Sequence, residues 1–198
     1  MPSLDFWYEF GSSYSYPAAM RIEEVAAKAG VEVKWRPFLL GPILAAQGLT
    51  DSPFNLYPAK GRYMVRDLER ICAALDLPFS MPDPFPQNGL YAARLAIIGA
   101  DEGWAGDFSR AVYLAEFGDG ANIFDKNLLA RFLSDLGVDA ALCLDEIESP
   151  ELKQRLKVQT AKAQDLGIFG APSFVAGGEL YWGNDRLEQA VEQAVRAG

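Results

Sequence analysis

The chain has 198 residues, half of them hydrophobic, with a mean hydropathy of −0.01. That composition suits one soluble domain, or one domain with a sizeable insertion, and no apolar run reaches the ~20 residues of a membrane-spanning helix. Net charge is −9, from 27 acidic against 18 basic residues, which argues against nucleic acid as a partner because phosphates require a basic face.

There is no histidine, so a Ser-His-Asp or Cys-His mechanism and a His-ligated metal site are excluded, and no metal is expected. Cys72 and Cys143 lie far apart and in no C-x-x-C motif. Cys72 falls on the apolar stripe Leu68, Ile71, Cys72 and Leu75, and both cysteines read as buried structural thiols. The opening MPSLDFWYEF has no basic stretch followed by an apolar one, so no signal peptide is expected and a cytoplasmic location is the default.

The first predicted element is a buried strand over 4–10, LDFWYEF, aromatic and bounded by Gly11. A helix follows, with Pro17 tolerated in its first turn and the serines before it as candidate N-caps. Ala19, Ile22, Val25, Ala26 and Ala29 make its inward stripe, and Gly30 ends it. VEVKWRPF then alternates, with Val31, Val33 and Trp35 on one face. Strand, helix and strand therefore form a βαβ unit whose strands run parallel.

From residue 39 the pattern becomes helical. LLGPILAAQG is a short helical piece, TDSPFNLYP a loop, and a helix over 59–76 turns Met64, Leu68, Ile71 and Leu75 inward. SMPDPFPQNG is a Pro-rich connector, after which helices are predicted near 90–101, 104–117, 125–135, 139–147 and 150–166. PSFVA and ELYW then flank GG, a hairpin signal. Asn184 or Asp185 caps a last amphipathic helix that buries Leu187, Ala190, Val191 and Ala194.

In FGSSYSYP, Ser12 and Ser15 stand at the C-x-x-C spacing of a redox pair, yet hydroxyls cannot form the disulfide of a dithiol oxidoreductase. The order βαβ then ββα is that of a thioredoxin fold, which keeps its redox motif at the N-terminus of the first helix. Pro172, in FGAPSF, stands where that fold has a cis-proline. The expected architecture is α/β: a thioredoxin-like domain from 1–38 and 167–198, and a large helical insertion domain over 39–166, as in the DsbA-like branch.

Taken together, DFWYEFGSSYSY, PAKGRYMVRDLER, GIFGAPSF and ELYWGNDRLE resemble the 2-hydroxychromene-2-carboxylate isomerases, relatives of the kappa-class glutathione transferases, over almost the whole chain. The resemblance implies a homodimeric enzyme of aromatic catabolism that interconverts 2-hydroxychromene-2-carboxylate and trans-o-hydroxybenzylidenepyruvate. Its cofactor would be glutathione and its substrate a small anionic aromatic. Ser12 would be the catalytic residue, donating a hydrogen bond to the glutathione sulfur. Ala171, before Pro172, would offer its backbone to the cysteinyl part, and Trp182, Gly183, Asn184 and Asp185 would bind the tripeptide.

The physics is consistent with that role for Ser12. Lowering a thiol pKa of ~8.5 by ~2 units takes about 2.7 kcal/mol, within reach of one charge-assisted hydrogen bond at a helix N-terminus. Ser15, one turn further on, reads as a residue of the helix surface, and Tyr14 and Tyr16 as packing residues. For the substrate and glutathione carboxylates the candidates are Lys60, Arg62 and Arg66. The family's substrate lysine and Asn-Arg pair have no counterpart in LLGPILAAQ and LTDSPFN. Thr50, Asp51 and Asn55 are left as loop candidates, and Phe85 takes the place of a connector tyrosine. Two alternatives stay open: a kappa-like glutathione transferase or peroxidase acting on other electrophiles, and a non-catalytic thioredoxin-fold protein that binds partners along its cis-proline edge.

Overall fold

The computed structural model describes residues 1–198. Strand β1 (Ser3–Tyr8) has Leu4, Phe6 and Tyr8 on one face and Trp7 on the other, all fully buried, so both of its faces are covered. It lies between β2 (Glu32–Pro37), parallel to it with Phe6 opposite Trp35, and β3 (Ser173–Ala176), antiparallel with Phe6 opposite Phe174. β4 (Glu179–Trp182) completes the order β2-β1-β3-β4. A parallel pair needs a crossover, and helix α1 (Ser15–Lys28) supplies it. Gly177 and Gly178 join β3 to β4 with φ of +57° and +82°, values that a two-residue hairpin turn demands and glycine accepts. The predicted βαβ and ββα units are both present.

The predicted serine cap is not formed. The cap position of α1 is Tyr14, with no side-chain hydrogen bond, because the Ser12 and Ser13 hydroxyls are engaged with other partners. Ala19, Ile22 and Ala26 are buried as expected, while Ala29 is exposed beyond the helix end.

The helical block runs through α2 (Leu40–Ala46), α3 (Pro53–Leu56), α4 (Pro58–Ala74), α5 (Leu90–Glu102) and α6 (Ala105–Tyr113). A π-helical turn, Leu114–Gly118, follows α6 directly, and then come α7 (Lys126–Asp135), α8 (Ala140–Glu146) and α9 (Pro150–Asp165). Asp125, Asp139 and Ser149 cap the last three, accepting from Asn127, Leu142 and Leu152 N–H groups at 2.9, 3.1 and 3.1 Å. α3 sits inside the predicted loop, nucleated by Ser52 Oγ, which accepts from Phe54 N, and by Pro53 at its first position. On α4 the buried residues are Met64, Leu68 and Cys72; Leu75, expected inward, lies past the helix end and is exposed. A 3-10 turn, Asn184–Arg186, precedes α10 (Leu187–Ala197). That turn displaces the expected cap: Arg186 holds the cap position, and neither Asn184 nor Asp185 does.

One hydrophobic core joins sheet and helices, running from Leu4, Phe6 and Tyr8 through Phe108, Tyr113 and Phe117 to Leu129. A smaller one, Trp7, Phe38, Ile43, Ala163 and Ile168, covers the opposite face of the sheet. Each fully buried side chain of this size contributes ~1.5–3 kcal/mol, so the cores fix the sheet end where the loops described below converge. Cys72 and Cys143 are buried and unpaired, and burial pushes the Cys72 thiol up to about 11 and the Cys143 thiol upwards too. No helix is long and apolar enough to cross a membrane.

Candidate active site

Three segments meet at one end of the sheet: the chain leaving β1, the loop entering β3 and the turn leaving β4. Ser12 Oγ donates to the Ala171 carbonyl at 2.9 Å, joining positions 159 residues apart. The Ala171–Pro172 peptide is cis, and the Gly183 N–H donates to the Pro172 carbonyl at 3.0 Å. The N–H groups of Ser13, Tyr14 and Ala171 find no acceptor within the chain. The first two stand at the start of α1, where unpaired amides and the helix dipole favour an anion.

These segments line a cavity of about 1250 Å³. On one wall lie Ser12, Ala171 and Pro172, continued by Trp182, Gly183, Asn184 and Asp185. On the other, Leu39, Leu40, Leu44, Phe54, Ile71 and Leu90 make an apolar surface. Asp51, Lys60 and Phe85 also line the cavity.

Arg62 does not, which corrects the expectation for that residue: it is exposed on α4, outside the lining. At about 100° per residue it stands about 200° round the helix from Lys60, so the two cannot share a wall. Arg66 is likewise exposed and pairs with Glu69 at 2.5 Å.

The turn after β4 is fastened from α1. Arg21 Nη2 donates to the Asn184 carbonyl at 2.7 Å, Nε reaches Asn184 Oδ1 at 3.3 Å, and the guanidinium pairs with Glu188. Asn184 is buried by this, while Asp185 projects from the turn with its side chain 74% exposed. Trp182 meets Phe169 edge to face at 4.9 Å, and a side chain at Gly170 would collide with the indole. On the far wall, Asn55 Nδ2 donates to Asp51 and to the Phe85 carbonyl at 3.0 Å, bracing the loop against the connector. Tyr14 donates its hydroxyl to Asp67 at 2.9 Å. Burial, reinforced by Asp67, pushes its pKa upwards, so it stays a protonated donor.

Sequence reasoning missed Glu9 and Arg21. Glu9 lies past the end of β1, with its side chain against the cavity. Burial pushes its carboxyl up to about 7, opposed by a hydrogen bond from the Gly11 N–H. An acid inside an aromatic run was the one available signal. Arg21 gives none, since its partners lie 163 and 167 residues away.

Behind the site, Glu116 is fully buried in the π-helical turn and neither carboxyl oxygen has a partner. Burial, then the charge of Glu9, pushes its pKa well above the usual carboxylate range. Ser15 is fully buried beside the Tyr113 hydroxyl, which corrects its expected place on the helix surface. The reason is that α6 packs across α1 and covers that position.

This architecture is that of the DSBA-like thioredoxin domain family, which the chain matches over residues 3–195 and to which it belongs. Within that class the chain is similar to 2-hydroxychromene-2-carboxylate isomerase of Sphingobium xenophagum, 29% identical over 186 residues that span 94% of each chain. It is also similar to glutathione S-transferase kappa 1 of Homo sapiens, 24% identical over 200 residues, covering 94% of this chain and 88% of that one. A solved structure of 2-hydroxychromene-2-carboxylate isomerase matches with a TM-score of 0.89 at 25% identity, over 98% of this chain and 95% of the other. These relatives are isomerases and glutathione transferases, both enzymes.

Proposed function

We propose that the protein is a glutathione-dependent isomerase interconverting 2-hydroxychromene-2-carboxylate and trans-o-hydroxybenzylidenepyruvate. The observation that carries this reading is the Ser12 hydroxyl set against the Ala171 carbonyl in a cavity whose far wall is apolar. The donor set fits glutathione: a hydroxyl and two unpaired amides for a sulfur anion, and a peptide N–H and C=O at Ala171 for a cysteinyl backbone. When bound, glutathione supplies a thiolate nucleophile for reversible addition to a conjugated double bond.

The chain's own residues do the rest. Ser12 Oγ–H leaves the Ala171 carbonyl and donates to the sulfur, holding it ionised, and the released carbonyl accepts from the cysteinyl N–H. Asp185 takes the γ-glutamyl ammonium, with Asn184 beneath it held by Arg21. Lys60 is the cation of the insertion side of the cavity and holds the substrate carboxylate; Phe54 and Phe85 flank its ring. The apolar wall excludes water from the reacting atoms.

Calorimetric titration with glutathione tests the cofactor, and the absorbance change of chromene-carboxylate isomerisation tests the reaction. Binding should be measurable, weakened ~10-fold by Asp185→Ala, and Ser12→Ala should raise the thiol pKa of the bound cofactor by ~1–2 units. Absence of binding at millimolar glutathione overturns the reading. One observation favours a kappa-like transferase acting on other electrophiles: apolar Leu40 and Leu44 line the wall where the family's substrate lysine is missing. Glutathione binding without chromene isomerisation would decide for it.

A further inference from the structure

Glu9 has no part in the mechanism above, yet it lines the same cavity as Ser12. Its main chain is pinned: the carbonyl accepts from the Ser12 N–H at 3.0 Å and from the Tyr113 hydroxyl at 2.9 Å. Its head lies beside two glycines. A Cβ on Gly11 would lie 3.2 Å from Oε2, and one on Gly89 3.5 Å from Oε1. The carboxyl therefore rests between the strand exit and the connector, at the junction of the Ser12 wall and the wall that carries Phe85 and Leu90.

The groups facing Glu9 do not hold it as an anion. From α6 and its π turn come Tyr113 and Glu116, both kept neutral by burial; from the connector come uncharged Gln87, Asn88 and Gly89. The charged groups elsewhere in the lining are Asp51, Lys60, Asp67, Asp185 and Arg186. Desolvation, with the Gly11 N–H opposing it, sets the carboxyl at about 7, where both protonation states are populated.

Opening a cyclic hemiketal moves one proton. The O–H of the hydroxyl at C2 breaks as the C2 carbonyl forms, the bond from C2 to the ring oxygen breaks with its electron pair, and that phenolate oxygen takes up a proton. We propose that Glu9 is the proton-transfer residue of this ring opening, its carboxylate accepting the C2 hydroxyl proton and its carboxyl returning one to the phenolate oxygen. The residue ends as it began, and no oxidant or reductant is consumed. The assignment rests on the isomerase reading above and supplies the acid–base group that reading lacks.

The test compares wild type with Glu9→Gln and Glu9→Asp in two readouts. In the first, kcat for chromene-carboxylate isomerisation is followed against pH. Glu9→Gln should lower kcat ~100-fold and flatten the profile near neutrality, leave glutathione affinity within twofold, and Glu9→Asp should restore part of the rate. In the second, ¹³C-carboxyl NMR of glutamate-labelled protein identifies the resonance lost in Glu9→Gln, which should titrate near neutrality. An active Glu9→Gln with an unchanged profile overturns the assignment and leaves the isomerase reading standing. A wild type that binds glutathione but opens no chromene ring overturns the isomerase reading, and with it the ring-opening role. A Glu9 resonance that titrates in the ordinary carboxylate range overturns proton transfer by this residue whatever the substrate.

Discussion

Replacing Glu116 with glutamine asks whether the fold carries a carboxyl that it must keep neutral. The side chain is fully buried in the π-helical turn, and neither oxygen has a partner. The unfolded carboxyl titrates near 4.5, while in the folded protein burial and the Glu9 charge hold its pKa well above that value. Between the two values the folded state binds one more proton than the unfolded state, so stability is fully present below the unfolded pKa and falls as pH rises. One extra bound proton gives a limiting slope of about 1.4 kcal/mol per pH unit while the folded group stays protonated. Glutamine keeps the size and the neutrality and takes up no proton. Urea denaturation of both proteins from pH 5 to 8 should show Glu116→Gln gaining on wild type as pH rises, with a slope of at most about 1.4 kcal/mol per pH unit, the two converging towards pH 5. A stability difference that does not change with pH refutes a neutral buried carboxyl.

Arg21→Ala should cost ~1–2 kcal/mol in urea denaturation and weaken glutathione binding ~10-fold, since it releases the Asn184 carbonyl; unchanged affinity would show that the turn holds itself. Lys60→Ala should raise KM several-fold with kcat within twofold, and the effect should shrink as salt rises from ~0.05 to ~0.5 M. A salt-independent effect would remove Lys60 as the carboxylate partner. Gly170→Ala should displace the Trp182 indole and weaken glutathione binding while the far-UV circular dichroism is retained; normal binding would take Trp182 out of the site.

The strands, the hairpin and most helices were legible because period and punctuation are local: alternation in VEVKWRPF, Gly-Gly between two strands, Ser-Pro before α9. Where β1 ends was not. The apolar pattern runs on to Phe10, but the ladder stops with Tyr8, whose carbonyl takes a last bond from the Phe38 N–H, while the Glu9 carbonyl already accepts from Ser12 in a turn. Ser12, Pro172 and the Trp182–Asp185 turn were legible for the same local reason, each being a short motif beside an element boundary. Arg62 misled because neighbours in sequence are not neighbours round a helix. Glu9, Arg21 and Asp67 were out of reach because each acquires its meaning from a distant segment: the connector, the turn after β4 and Tyr14 respectively.

The Ser12–Ala171 hydrogen bond makes ligand capture a competition for one proton. A hydroxyl bonded to a neutral carbonyl contributes ~0.5–1.5 kcal/mol net, and a bond to an ionised acceptor about twice as much. A thiolate displaces the carbonyl; the sulfur of a thioether, a weak acceptor, does not. The closed pair thus acts as a charge filter in the cavity lining, opening for an anionic sulfur and recovering its own bond against a neutral one. Discrimination between an ionised and a neutral acceptor is then a property of two atoms that the cis-proline loop and the start of α1 hold 2.9 Å apart.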